Sequence, residues 1–144
     1  MNPIYLWHDM LNMPKYDEAW HRQDMADEIA EYWEAKGFID VWSELSDVAY
    51  TYTRAKWSGH GSITFPFSNT RYFAGLLYMF PKYTLRFWFF RKLGKKLDKD
   101  LKISEVRNPK KVSKLAVIAE KYNLDPEPFT SEAKKMLRYW VLFK

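Results

Sequence analysis

The stretch from Asp27 to Asp47, DEIAEYWEAKGFIDVWSELSD, constrains the fold of this chain more than any other. Glu28 stands three residues before Glu31, Glu44 stands three before Asp47, and Gly37 lies between the pairs. Residues three apart on an α-helix share a face, so each pair directs two carboxylates to one side. The surrounding apolar residues keep helical spacing: Met25, Ile29 and Trp33 form one stripe, and Val41, Leu45, Val48 and Tyr52 a second. Gly37 suits the left-handed position after a helix over 15–36, with Phe38 packing back onto it. Asp40 suits the N-cap of a helix over 41–57. A connection this short predicts antiparallel neighbours. Counted outward from the turn, Glu31 then falls level with Glu44, and Glu28 level with Asp47. Four carboxylates gathered between two helices repel one another unless a cation neutralises them. Hard oxygen ligands suit Mg²⁺ or Mn²⁺.

Helical periodicity continues through nearly all of the chain. The prediction is an all-α protein: an antiparallel helical hairpin within a bundle of about six helices. At 144 residues it is read as one domain, with an apolar arm over 1–14, an acidic hairpin over 15–57 and a basic helical part over 68–144. Helices are expected over 70–80 and 82–96, separated by a kink or break at Pro81. Another is expected to start at Asn108-Pro109 and run to Tyr122, and a last one to be capped by Thr130 or Ser131, docking through Leu137, Trp140, Val141 and Phe143. SGHGSITFPF, over 58–67, is a loop. The polar run over 98–107 is a connection.

Charge divides the chain. Residues 1–57 hold five Lys or Arg against eleven Asp or Glu, whereas residues 58–144 hold eighteen against seven. An acidic half suits cations and a basic half suits anions, so a phosphate-bearing ligand, a nucleic acid or an anionic membrane fits the pattern. The absence of cysteine excludes disulfides, thiolate catalysis and Cys-ligated zinc. The N-terminal stretch lacks a basic start followed by an apolar run, so no secretory signal is read there and a cytoplasmic protein is expected. The aromatic stretch around 72–93 is interrupted by Pro81, Lys82, Arg86 and Arg91, which argues against a transmembrane helix.

Glu-x-x-Glu, twelve residues, then Glu-x-x-Asp resembles the signature of the MazG-like nucleoside triphosphate pyrophosphohydrolases. The text SELSDVAY is similar to that family's second metal-binding helix. The resemblance covers about the first forty per cent of the chain and maps onto Glu28, Glu31, Glu44 and Asp47. It implies an all-helical, Mg²⁺-dependent enzyme that cleaves nucleoside triphosphates to monophosphate and pyrophosphate, with sites commonly formed in homo-oligomers. In that reading the four acids bind metal and Glu31 orients the attacking water as general base. Arg54 lies two helical turns beyond Asp47 on the same side and contacts phosphate, with Arg71 or Lys82 as a further basic group.

Other readings stand beside it. The acidic pairs also fit a solvated helix face, and Arg54 also fits a salt bridge. His21 shares a side of its helix with Asp24, Glu28 and Glu31; there it orients a carboxylate or binds metal, or it is polar surface, which is the preferred reading. His8 and His60 are weaker ligand and catalytic candidates. In a different class, the basic aromatic C-terminal half suits a non-catalytic module that grips nucleic acid. A helical inhibitor or assembly factor docking on another protein is the third possibility.

Overall fold

The computed structural model describes residues 2–99 and 107–140. Among them there are six α-helices and no strand, so the protein is all-α as expected. Packing groups the chain into two compact units, Met1–Pro81 and Lys82–Lys144.

In the first unit, the apolar N-terminal arm forms α1 (Pro3–Met10). The Asn2 side chain accepts from the Ile4 amide at 3.0 Å, and Pro3 occupies the first helical position, where a missing N–H is harmless. Ile4, His8 and Leu11 recur at helical spacing and are buried, and α1 packs on α3. α2 (Glu18–Glu34) is capped by Asp17, which accepts from the Trp20 amide at 2.8 Å. α3 (Phe38–Trp57) packs extensively along α2.

The turn between α2 and α3 forms by a different local route from the one read in the sequence. α2 ends at Glu34 with Ala35 already extended, and Gly37, at φ 90°, is the residue entering α3. That backbone region is strained for residues with a Cβ, so glycine is still what the position requires. Asp40 sits inside the first turn of α3 rather than capping it, where a negative charge complements the helix dipole.

The hairpin core joins Met25, Tyr32, Leu45, Val48, Ala55 and Ile63. Trp33, expected in the α2 stripe, is 67% exposed, and the neighbouring Tyr32 takes the inward position. Both rings touch Phe67, from the segment that follows the loop, Tyr32 from within the core and Trp33 from outside it. The loop after α3 folds back onto the start of α2. His60 Nε2 lies 2.9 Å from the Tyr16 carbonyl, and the Ser62 hydroxyl donates to Glu18 at 2.7 Å.

α4 (Asn69–Lys96) contributes its first part to this unit and its last part to the second. A kink or break was expected at Pro81; it lies inside the helix and does not end it. One lost amide donor is tolerated here because buried residues on both sides, Met79 and Tyr83, hold the helix. In the first unit α4 approaches α3 at Gly75. A Cβ there would stand 2.8 Å from the Leu45 carbonyl oxygen and 3.0 Å from the Ala49 Cβ. The Trp42 indole donates to the Ala74 carbonyl at 2.7 Å beside this contact.

The second unit packs the last part of α4 with α5 (Val112–Lys121) and α6 (Pro126–Leu137) around Phe89, Phe90, Leu93, Leu115, Ile118, Phe129 and Met136. On this part of α4, Arg91, Lys92, Lys95 and Lys96 are exposed, whereas Arg86 is buried. α5 starts at Val112 because Asn108-Pro109 forms a turn, in which Asn108 accepts from the Lys110 amide. α6 starts earlier than expected: Asp125 caps it and Pro126 takes the first position, leaving Thr130 and Ser131 inside the helix. Most of the predicted 98–107 connection, and Val141 and Phe143, lie outside the described residues.

Candidate functional site

A polar seam runs along the contact of α2 and α3. Its α2 side carries His21, Asp24, Glu28 and Glu31; its α3 side carries Glu44, Asp47, Thr51 and Arg54. Partners descend one helix as they climb the other. Arg54 acts electrostatically on His21, the Thr51 hydroxyl donates to Asp24 at 3.3 Å, Asp47 acts on Glu28, and Glu44 meets Glu28 and Glu31. That order is the antiparallel register read from the sequence.

At the end near the turn, one carboxylate oxygen from each of Glu28, Glu31 and Glu44 lies within 4.8 Å of the others. Glu28 and Glu44 are half-buried, and Glu31 is exposed. Asp47 falls outside this group of three, yet its charge is the strongest electrostatic influence on Glu28. Burial, then Asp47, Glu31, Asp24 and Glu44, push the Glu28 carboxyl up to about 8. At neutral pH Glu28 therefore holds its proton, as expected when like charges share a low-dielectric site.

The basic candidates are distributed differently. Arg54 is buried at the opposite end of the seam, about 10 Å along α3 from Asp47 at the helical rise. It forms no salt bridge among the described residues. Its Nη2 donates to the Pro14 carbonyl at 3.0 Å, and its guanidinium stacks over Tyr16 and Trp20. Arg71 is exposed and lies over Phe67. Lys82 is buried and belongs to the second unit.

His21 corrects the surface reading: it is fully buried, between Trp20 and His60. Burial first, then the charges of Arg54 and His60, lower it from the ordinary 6.5 to about 4, with Asp17 opposing. His8 is also fully buried and is likewise held at about 4 by burial and by Arg54, against Asp9. Its Nε2 lies 3.3 Å from the Thr53 hydroxyl, whose own proton goes to the Tyr50 carbonyl at 2.8 Å. His8 therefore carries its hydrogen on Nε2. The signal for His21 was available in the sequence: it shares a helix face with acids predicted to meet α3.

No family model, curated protein or solved structure matches this chain.

Proposed function

We propose that this protein is a Mg²⁺-dependent nucleoside triphosphate pyrophosphohydrolase of the MazG-like kind. The observation that supports the reading is the convergence of Glu28, Glu31 and Glu44 across the hairpin, with Asp47 beside them. The donor set fits Mg²⁺ or Mn²⁺. It is all carboxylate oxygen, and the charge repulsion that keeps a proton on Glu28 is what a dication relieves.

Glu28, Glu31 and Glu44 would hold the metal, with Asp47 completing the set. When bound, the metal polarises the phosphates and lowers the pKa of a coordinated water. Glu31 is the open member of the group, and its carboxylate takes the proton of the attacking water. The water oxygen bonds to the α-phosphorus as the bond to the bridging oxygen breaks. Pyrophosphate leaves with that electron pair. Arg54 and Arg71 are the basic residues of the first unit assigned to phosphate.

The reading also includes self-association. Trp33, Phe38 and Ile39 near the hairpin turn, and Phe73 and Leu77 one turn apart on α4, are large exposed apolar residues. Among the described residues no helix is long and apolar enough to cross a membrane.

The test is pyrophosphate release from a panel of nucleoside triphosphates with Mg²⁺ or Mn²⁺. Wild type should release it from at least one member of the panel, and Glu44→Gln should not. A wild type as inert as the variant across the panel overturns the proposal. The exposed lysines and Tyr139 of the second unit would then make a binding module the better account.

A further inference from the structure

The seam's far end holds an arrangement of which the hydrolase reading uses only Arg54. Arg54 is a buried guanidinium, 8% exposed, with Nη2 on the Pro14 carbonyl and Tyr16 and Trp20 against its faces. Its Nε is buried and has no hydrogen-bond partner. Beside it, His21 is 0% exposed, and neither of its ring nitrogens has a partner. His8 Nδ1 is also buried and unbonded, and with the ring hydrogen on Nε2 it presents a lone pair.

These groups have a common requirement. A buried cation is stable when an opposite charge meets it, and buried donors and acceptors are normally satisfied. The aromatic faces answer part of the guanidinium charge but accept nothing from its in-plane Nε–H. A water would serve one imidazole yet leave the charge uncompensated. A carboxylate side chain would serve both, but among the described residues none pairs with Arg54. A tetrahedral oxyanion that still carries a proton meets the whole set. Its bare oxygens accept from Arg54 Nε–H and the His21 N–H, and its hydroxyl donates to a neighbouring imidazole lone pair.

We propose that Arg54 and His21, flanked by His8, form a phosphate-binding site at the junction of α1, α2 and α3, separate from the carboxylate group near the turn. The partly exposed Tyr16 and Trp20 rings, with His60 bonded to the Tyr16 carbonyl, form its solvent-side wall. The site takes the phosphate group, whether free phosphate, pyrophosphate or the phosphate of a nucleotide. It requires no divalent cation, and it shares only Arg54 with the hydrolase reading.

The experiment uses the full chain at pH 7 with EDTA, following the histidine ring resonances by NMR and the melting temperature. Orthophosphate, pyrophosphate and a nucleoside monophosphate are titrated separately, against sodium chloride of equal ionic strength. The expected result is a saturable shift of the His21 resonances and a rise in melting temperature. Arg54→Met should weaken binding on the order of tenfold or more, the loss of a charge-assisted hydrogen bond. Glu44→Gln should bind as wild type does, which separates this site from the carboxylates. A response to the inorganic ions assigns free phosphate as the ligand. A response to the nucleotide alone assigns a phosphate carried on a larger molecule. The wild-type histidine signals decide the matter even where Arg54→Met fails to fold. No saturable shift with any of the three ligands, or the same shift with chloride, overturns the proposal.

Discussion

The two ends of the α2–α3 seam face one physical problem and resolve it with opposite proton movements. Near the turn, Glu28 is driven to keep its proton, up to about 8. At the far end, His21 and His8 are driven to lose theirs, down to about 4. In all three, burial is the largest cause and neighbouring charge the second. Depth therefore decides the protonation state, and the local sign of charge adds to it. The ends differ in access. Glu31 leaves the acidic end open to solvent, whereas His21 and His8 are sealed. An open anionic cluster suits an ion that arrives and leaves, while a sealed cationic one suits a ligand held among aromatic walls.

This contrast gives stability a two-sided pH dependence. Both histidines have depressed folded pKa values, so their stabilisation is complete above the unfolded value of 6.5. It is lost as pH falls toward 4. The pair is expected to lose on the order of 5 kcal/mol over that window. Glu28 has the reverse sign. Its folded pKa is raised, so its contribution is complete below 4.5 and is lost as pH rises through about 8. Two histidine slopes outweigh one glutamate slope below 6.5, so stability should peak near pH 6.5 in urea unfolding without added metal. A profile that rises monotonically to pH 9 would break the comparison at the acidic end.

Glu28→Gln sharpens it. The amide matches the neutral form, so the alkaline arm should flatten and the variant should exceed wild type at pH 9 by about 2–4 kcal/mol. The acid arm should steepen between about pH 4.5 and 6.5, because the opposing slope of Glu28 is gone. Mg²⁺ should raise the wild-type melting temperature and raise that of Glu28→Gln less, because one ligand charge is gone.

Gly75→Ala probes the packing behind the acidic end only. Alanine gains about 1 kcal/mol of helix propensity over glycine. Its methyl would enter a contact 2.8 Å from the Leu45 carbonyl, an atom of the α3 backbone that cannot step aside as a side chain does. Overpacking of this kind costs about 1–3 kcal/mol, so a net loss near 1 kcal/mol is expected in urea melts at pH 6.5. A more stable variant would show that α4 yields at this point, and that α3 is not held in place behind Glu44.

The parts of the fold legible in the sequence were those set by repeating spacing. The register that brings Glu28, Glu31 and Glu44 together follows from helical period and a short turn. Single-residue geometry was less legible. Gly37 was correctly read as the turn glycine but assigned to the wrong helix end, because a positive φ serves either side of a three-residue connection. Trp33 and Tyr32 are consecutive in sequence and about 100° apart on the wheel, so a small rotation of the helix decides which one enters the core, and here it is Tyr32. Pro81 was read as a kink or break between two helices because the local rule sees the lost donor and not the buried residues either side. His21 was read as surface because a titratable side chain is usually solvated; its burial depends on Trp20, on His60 from the loop and on α3 together.

The smallest predicted effect links the sealed end to the surface. Asp17 is exposed and caps α2 through the Trp20 amide, and its charge is also what opposes the lowering of His21. Asp17→Ala removes both roles and should cost about 1 kcal/mol, the usual loss of a helix N-cap. Asp17→Asn separates them. Asparagine caps as well as aspartate, so stability at pH 7 should change by no more than about 0.5 kcal/mol, the share owed to the helix dipole. The charge is gone, however, so the histidine ring NMR signals should show His21 titrating at still lower pH, and the stability lost on acidification should be slightly larger. If His21 titrates unchanged in Asp17→Asn, burial and Arg54 alone set its proton affinity, and the sealed end is electrically isolated from the helix start that covers it.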